Sequence, residues 1–71
     1  MTVEEIGTYA GLVWNALAET EVLGTKQLKK ITKLKDKEVF AAIGWLAREG
    51  KVAIQANEED PKEHLISLVQ G

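Results

Sequence analysis

Apolar residues in the first quarter of the chain recur at intervals of three and four: Val3, Ile6, Ala10, Val13 and Leu17. That spacing lays them along one face and predicts a helix over 3–19. Thr2 precedes it with Glu5 three residues on, the spacing of a capping box. Tyr9, Leu12 and Ala16 widen the stripe on one side and Trp14 and Ala18 on the other. The polar arc shrinks to Glu4, Thr8, Asn15 and Glu19. An apolar surface that wide implies burial on more than one side. Val22-Leu23-Gly24 is too short for a helix and predicts a brief strand at 22–24. Thr25 then reads as the cap of a short helix, 26–32, with Leu28 and Ile31 pointing inward.

In the turn Lys33-Leu34-Lys35, Leu34 is the apolar member. Asp36 suits the N-cap of a third helix, 37–49, whose inward positions are Val39, Ile43, Leu46 and Ala47, and Gly50 stands where a left-handed C-cap belongs. From Lys51 the pattern changes to alternation. Val52, Ile54 and Ala56 share one face of a strand over 51–56. Residues 57–63 are polar, and Pro61 forbids a central strand there, so they form a loop. A second strand follows at 64–70. Its two faces are both apolar, Ile66 and Leu68 against Leu65 and Val69, which implies cover on two sides. The expected fold is α+β: one winged helix-turn-helix domain over 1–71, with three helices, a short strand between the first two, and a C-terminal β-hairpin as the wing.

Leu28, Leu34, Val39, Ile43 and Leu46 match the apolar skeleton of a helix-turn-helix, and Gly50-Lys51-Val52 resembles the exit into a wing. The segments IGTYAGLVWNAL, KQLKKITKLKDKEV and AAIGWLAREGKV resemble a family of small stand-alone winged helix-turn-helix proteins of prokaryotes, a family with no established function. The IGWLAREGK stretch is the most specific part. The resemblance implies the fold, a homodimer and a DNA-binding-like label, and it supplies no catalytic residues. Two positions depart from general helix-turn-helix chemistry. Lys33 stands where the turn often holds Gly, and a left-handed backbone there would cost a non-Gly residue roughly 1–2 kcal/mol. Lys29 replaces a small residue early in the first motif helix.

Size adds an energetic constraint. At 71 residues the chain is one small domain, and a domain of that order buries only about 60% of its unfolded surface. With no Cys there are no disulfides, thiolate metal sites or thiol catalysis, and His64 is the lone imidazole. Neither a metal nor another cofactor is therefore expected, and stabilisation by a second copy of the chain is. No apolar run approaches the ~20 residues of a membrane span, and Met1 to Ile6 lacks the pattern of a secretory signal, so a cytoplasmic protein is expected.

Charge is the strongest functional signal. Between Lys26 and Lys37, six lysines (Lys26, Lys29, Lys30, Lys33, Lys35, Lys37) face one acid, Asp36. That window carries +5, which leaves −7 on the remainder of a chain whose net charge is −2. In a winged helix it covers the first motif helix and its turn, where backbone phosphates of duplex DNA would sit; Arg48 is a further candidate. A solvated face is the plain alternative. Sequence-specific reading is not expected. The outward residues of the third helix, Lys37, Ala41, Gly44, Trp45 and Arg48 with Phe40 and Ala42 beside them, offer few groups that pair with base edges. The wing holds Glu58, Glu59, Asp60 and Glu63 against Lys62, a loop that phosphate repels.

A second candidate surface is aromatic. Trp45 either packs under the wing as core or stands exposed as an anchor for another chain, and Trp14 and Tyr9 pose the same choice on the first helix. Gly7 and Gly11, four apart, leave a smooth groove beside them. Tyr9, Leu12, Trp14, Phe40, Ala41 and Trp45 are thus candidate protein-interface residues, for self-association or another partner. Enzymatic chemistry is not expected. Ser67 stands alone, the glycines form no phosphate-cradling loop, and Glu58-Glu59-Asp60 lacks calcium-loop spacing and reads as a solvated turn.

Overall fold

A computed structural model describes residues 1–69. The first helix, α1 (Val3–Ala18), starts as its sequence demands: Thr2 Oγ1 accepts from the Glu5 N–H at 3.1 Å, and Glu5 Oε1 accepts from the Thr2 N–H at 2.9 Å. The chain continues through β1 (Val22–Gly24), α2 (Thr25–Thr32), α3 (Asp36–Arg48), β2 (Val52–Ala56) and β3 (His64–Leu68). The three strands form one antiparallel sheet in the order β1-β3-β2, with Leu23 and Ile54 flanking Ile66. This is a winged helix-turn-helix, α+β, with β2–β3 as the hairpin.

The core lies where the sheet meets the three helices. Val13 and Leu17 of α1, Leu28 of α2, Val39 and Ile43 of α3, and Ile66 of β3 are each at most 3% exposed. α1 packs chiefly on α3, and this contact decides which face of α3 is buried. Ala42, expected beside the outward residues, is fully buried, whereas Ala47, expected inward, is exposed. The buried arc is turned toward α1. Ile31, also expected inward, is 56% exposed. On an eight-residue helix, Thr25, Leu28 and Thr32 already fill the inward side, and Ile31 lies about a quarter turn away.

Both motif helices begin one residue before their expected starts. Gly24, not Thr25, is the N-cap of α2, and Gln27 Oε1 accepts its N–H at 2.9 Å while Thr25 is buried. Lys35, not Asp36, is the N-cap of α3, and Glu38 Oε1 accepts its N–H at 2.8 Å. In both cases the residue at N3 reaches back and frees the expected cap for another contact. The helix ends are sharper. Gly50 has φ +72° and completes a Schellman motif, with Gly50 N–H on Ala47 O at 3.0 Å and Lys51 N–H on Leu46 O at 2.9 Å.

Among the described residues the sheet is covered on one side only. Leu23, Val52 and Ile66 are buried against the helices, but Val22 on the opposite face is 48% exposed and Leu65 only half-buried. The expected cover on both sides of β3 is thus not formed among the described residues. On the covered face, Ile54 and Ala56 are exposed where the hairpin runs past the helices. β3 ends at Leu68. Gln70, its expected last residue, lies outside the described residues.

Lys33 closes α2 in the left-handed region, φ 61° and ψ 22°, with its N–H on Lys29 O at 2.9 Å. A Cβ in that region is strained, and glycine relieves it at some cost in chain entropy. Lys33→Gly is therefore expected to raise stability by about 0.5–1 kcal/mol in urea denaturation. A loss of stability would mean that the lysine side chain supports the turn.

Candidate nucleic-acid interface

Lys26, Lys29, Lys30 and Lys33 fall at i, i+3, i+4 and i+7, so the geometry of α2 places them on one outward face. With Gln27 and Leu34 they line an open basin of about 590 Å³. Lys35 and Lys37, at the start of α3, are exposed but do not line it. A second hollow of about 470 Å³ lies between α2 and α3, lined by Lys26, Lys29, Asp36, Phe40 and Lys62 among others. Lys62 had no signal in the sequence, where it is a lone base among acids. The hairpin carries it back to α2 across more than thirty residues.

Acids of the chain already engage two members of this ridge. Lys26 Nζ lies 2.7 Å from Asp60 Oδ2, and Lys29 Nζ lies 3.0 Å from Asp36 Oδ1. Hydrogen bonding to Lys26, and then to the Lys62 N–H, holds the Asp60 carboxyl below its ordinary value; Asp60 in turn raises the Lys26 ammonium. Glu63 Oε1 also accepts the backbone N–H of Lys26 at 3.3 Å. The loop is thus only partly the solvated turn expected. Glu58 and Glu59 are exposed, but Asp60 and Glu63 are half-buried toward α2. Among the described residues, Lys30, Lys33, Lys35 and Lys37 form no ion pair.

The outward face of α3 carries Lys37, Gly44 and Arg48, with Ala41 half-buried. Phe40 is 49% exposed and borders a small apolar pocket of about 180 Å³ with Ile43, Ile54, His64 and Ile66. Trp45 is not under the wing. It is 38% exposed on the α1 side, where it and Trp14, 42% exposed, line a groove of about 290 Å³ that also includes Gly7, Ala10 and Gly11. A Cβ on either glycine would meet open space. Leu12 is exposed as well, whereas Tyr9 packs against the core.

The Tyr9 hydroxyl donates to Glu5 Oε2 at 3.3 Å. The Glu38 carboxylate first, then loss of solvent and Glu5, push the phenol up to about 12. The folded value lies above the ordinary 10.0, so this contribution to stability is full below pH 10 and disappears as pH rises through about 12. Tyr9 is the sole tyrosine, so alkaline absorbance titration reads it directly. We expect a midpoint near 12 that falls on Glu38→Gln. An unchanged midpoint in that variant would remove Glu38 as the cause.

Residues 1–66 match the winged helix-turn-helix domain family DUF2582. The solution NMR structure of protein BT2368 from Bacteroides thetaiotaomicron is 34% identical, with a TM-score of 0.78 over 96% of this chain and 79% of that one. Two more distant structures share the fold. BpsR of Bordetella bronchiseptica, whose DNA binding is regulated by 6-hydroxynicotinic acid, is 19% identical, with a TM-score of 0.73 over 97% of this chain and 48% of its own. The MarR C80S mutant from E. coli in complex with operator DNA is 18% identical, with a TM-score of 0.69 over 100% of this chain and 47% of its own. This chain spans about half the length of those two proteins. No curated protein matches it. The agreement over residues 1–66 and with BT2368 makes this chain a member of the DUF2582 winged helix-turn-helix family.

Proposed function

We propose that this protein binds duplex DNA, mainly through phosphate contacts from the lysine ridge of α2 and its turn, with weak sequence preference and a regulator-like rather than enzymatic role. One observation carries the reading: Lys26, Lys29, Lys30 and Lys33 line one open basin on the first motif helix of a fold that MarR uses in complex with operator DNA. The reading also includes Lys35, Lys37 and Arg48, which are exposed at the two ends of α3. Weak preference follows from α3, where Ala41 and Gly44 stand between Lys37 and Arg48 and offer no paired hydrogen bonds to base edges. No helix among the described residues is long and apolar enough to cross a membrane, and a cytoplasmic place agrees with a nucleic-acid partner.

Fluorescence titration of a labelled duplex over a range of salt tests the reading. Each neutralised phosphate contributes about −0.9 to the slope of log affinity against log salt, so the three ridge lysines other than Lys26, which Asp60 engages, give roughly −3. Absence of binding at low salt, or binding insensitive to salt, would overturn it. A second reading, docking of another protein or of a second copy to form a homodimer, draws on the exposed Trp14, Phe40 and Trp45. Sedimentation at high concentration addresses the dimer: a mass of one chain counts against it.

A further inference from the structure

The hairpin loop sorts its own acids into two classes. Asn57 organises the turn, accepting the Glu59 N–H on its side chain at 3.0 Å and the Asp60 N–H on its carbonyl at 3.2 Å. Asp60 then accepts the Lys62 N–H on Oδ1 at 3.1 Å and the Glu63 N–H on its carbonyl at 3.0 Å. The folded loop leaves Glu58 and Glu59 in solvent and turns Asp60 and Glu63 toward α2. There Asp60 takes the Lys26 ammonium at 2.7 Å and Glu63 the Lys26 N–H at 3.3 Å. Asn57 Nδ2 steadies the other Glu63 oxygen at 3.4 Å. Gly24 permits this closure, because a Cβ on it would fall on the Glu63 carboxylate.

We propose that this loop is an autoinhibitory latch: Asp60 and Glu63 occupy the first lysine of the ridge as an internal substitute for phosphate, and a duplex must displace them to use Lys26. The proposal rests on the DNA-binding reading above and adds its regulation. A phosphate approaching Lys26 meets two carboxylates as well as the ammonium, so the closed loop both removes one cation from the ridge and repels the ligand. Both ion-pair partners are partly exposed, 67% for Lys26 and 33% for Asp60, so solvent and salt weaken the hold and the latch can open.

The test compares the wild-type protein with Asp60→Asn/Glu63→Gln, Glu58→Gln/Glu59→Gln and Gly24→Ala in the same duplex titration. The first variant opens the latch. The second removes an equal number of charges from the same loop without touching Lys26. Gly24→Ala displaces Glu63 with no change of charge, and Gly24 at φ −74° has a backbone suited to alanine. Opening the latch is expected to tighten binding about three- to tenfold and steepen the salt slope by about one, the share of one more phosphate contact. Gly24→Ala is expected to tighten it less, and the Glu58/Glu59 control to stay within about twofold.

Equal tightening by the control would overturn the latch in favour of bulk charge. Unchanged or weaker binding by both opened variants, with wild-type binding intact, would overturn the latch and leave the DNA reading standing. Binding by the opened variants alone would support both. No binding by any of them would overturn both. Melting temperatures identify a variant that fails to fold, and Gly24→Ala then decides in place of the amide pair, or the reverse.

Discussion

Leu28→Ala is expected to cost about 3 kcal/mol, and Ile31→Ala less than about 0.5 kcal/mol, although both are apolar residues of the same eight-residue helix. Leu28 is 0% exposed and belongs to the core formed with α1, α3 and Ile66, whereas Ile31 is 56% exposed. Truncation at Leu28 removes buried methyl groups and leaves a cavity that a short helix held between β1 and the turn at Lys33 has little room to close. A domain of this length is stable by roughly 4–10 kcal/mol in total. The substitution therefore removes a large share of the whole and leaves about 1–7 kcal/mol. Urea denaturation followed by tryptophan fluorescence gives both values. Near-equal losses at the two positions would mean that α2 sits rotated about its axis so that Ile31 is buried too, and the outward direction of its lysines would fall with it.

That pair of residues also marks the boundary of what was legible beforehand. Hydrophobic period and the breaks between periodic segments were enough for the fold. The Thr2–Glu5 capping box and the left-handed Gly50 formed as their local spacing required, because each involves residues within one turn of each other. Which face of α3 is buried was not local. Its apolar residues span a wide arc, and the packing of α1 selected Ala42 over Ala47. The caps of α2 and α3 differ from the expected residues for a related reason. Thr25 and Asp36 have the favoured side chains, but Gln27 and Glu38 satisfy the same backbone groups from N3. Asp36 was thereby released to pair with Lys29.

The candidate site divides along the same line. The charge window that holds Lys26, Lys29, Lys30 and Lys33 is plain in the sequence, and these four residues line one basin. Nothing in the order of residues announced that Asp60, 34 positions later, would reach Lys26, nor that Lys62 would join the hollow beside Phe40. Those contacts arise from the hairpin register and the turn built on Asn57. Trp45 could not be assigned either. Its place beside Trp14 depends on the approach of α1 to α3.

Neutralising two ridge lysines is the perturbation with the largest expected effect on binding. Lys30→Gln/Lys33→Gln removes two cations that, among the described residues, have no ion-pair partner, so no acid is left unbalanced by the change. Affinity for a duplex at low salt is expected to fall tenfold or more, and the salt slope to become shallower by about two. The loss should be nearly equal for unrelated sequences, since phosphate contacts position without reading bases. A loss confined to one sequence, or a slope that does not change, would place the binding surface elsewhere. Lys33 makes the argument sharper. It holds a left-handed backbone that glycine would hold with less strain. If the side chain serves binding, Lys33→Gly must gain stability and lose affinity together, with the slope reduced by about one. A gain in stability without loss of affinity would leave the strained lysine unexplained and remove it from the ridge.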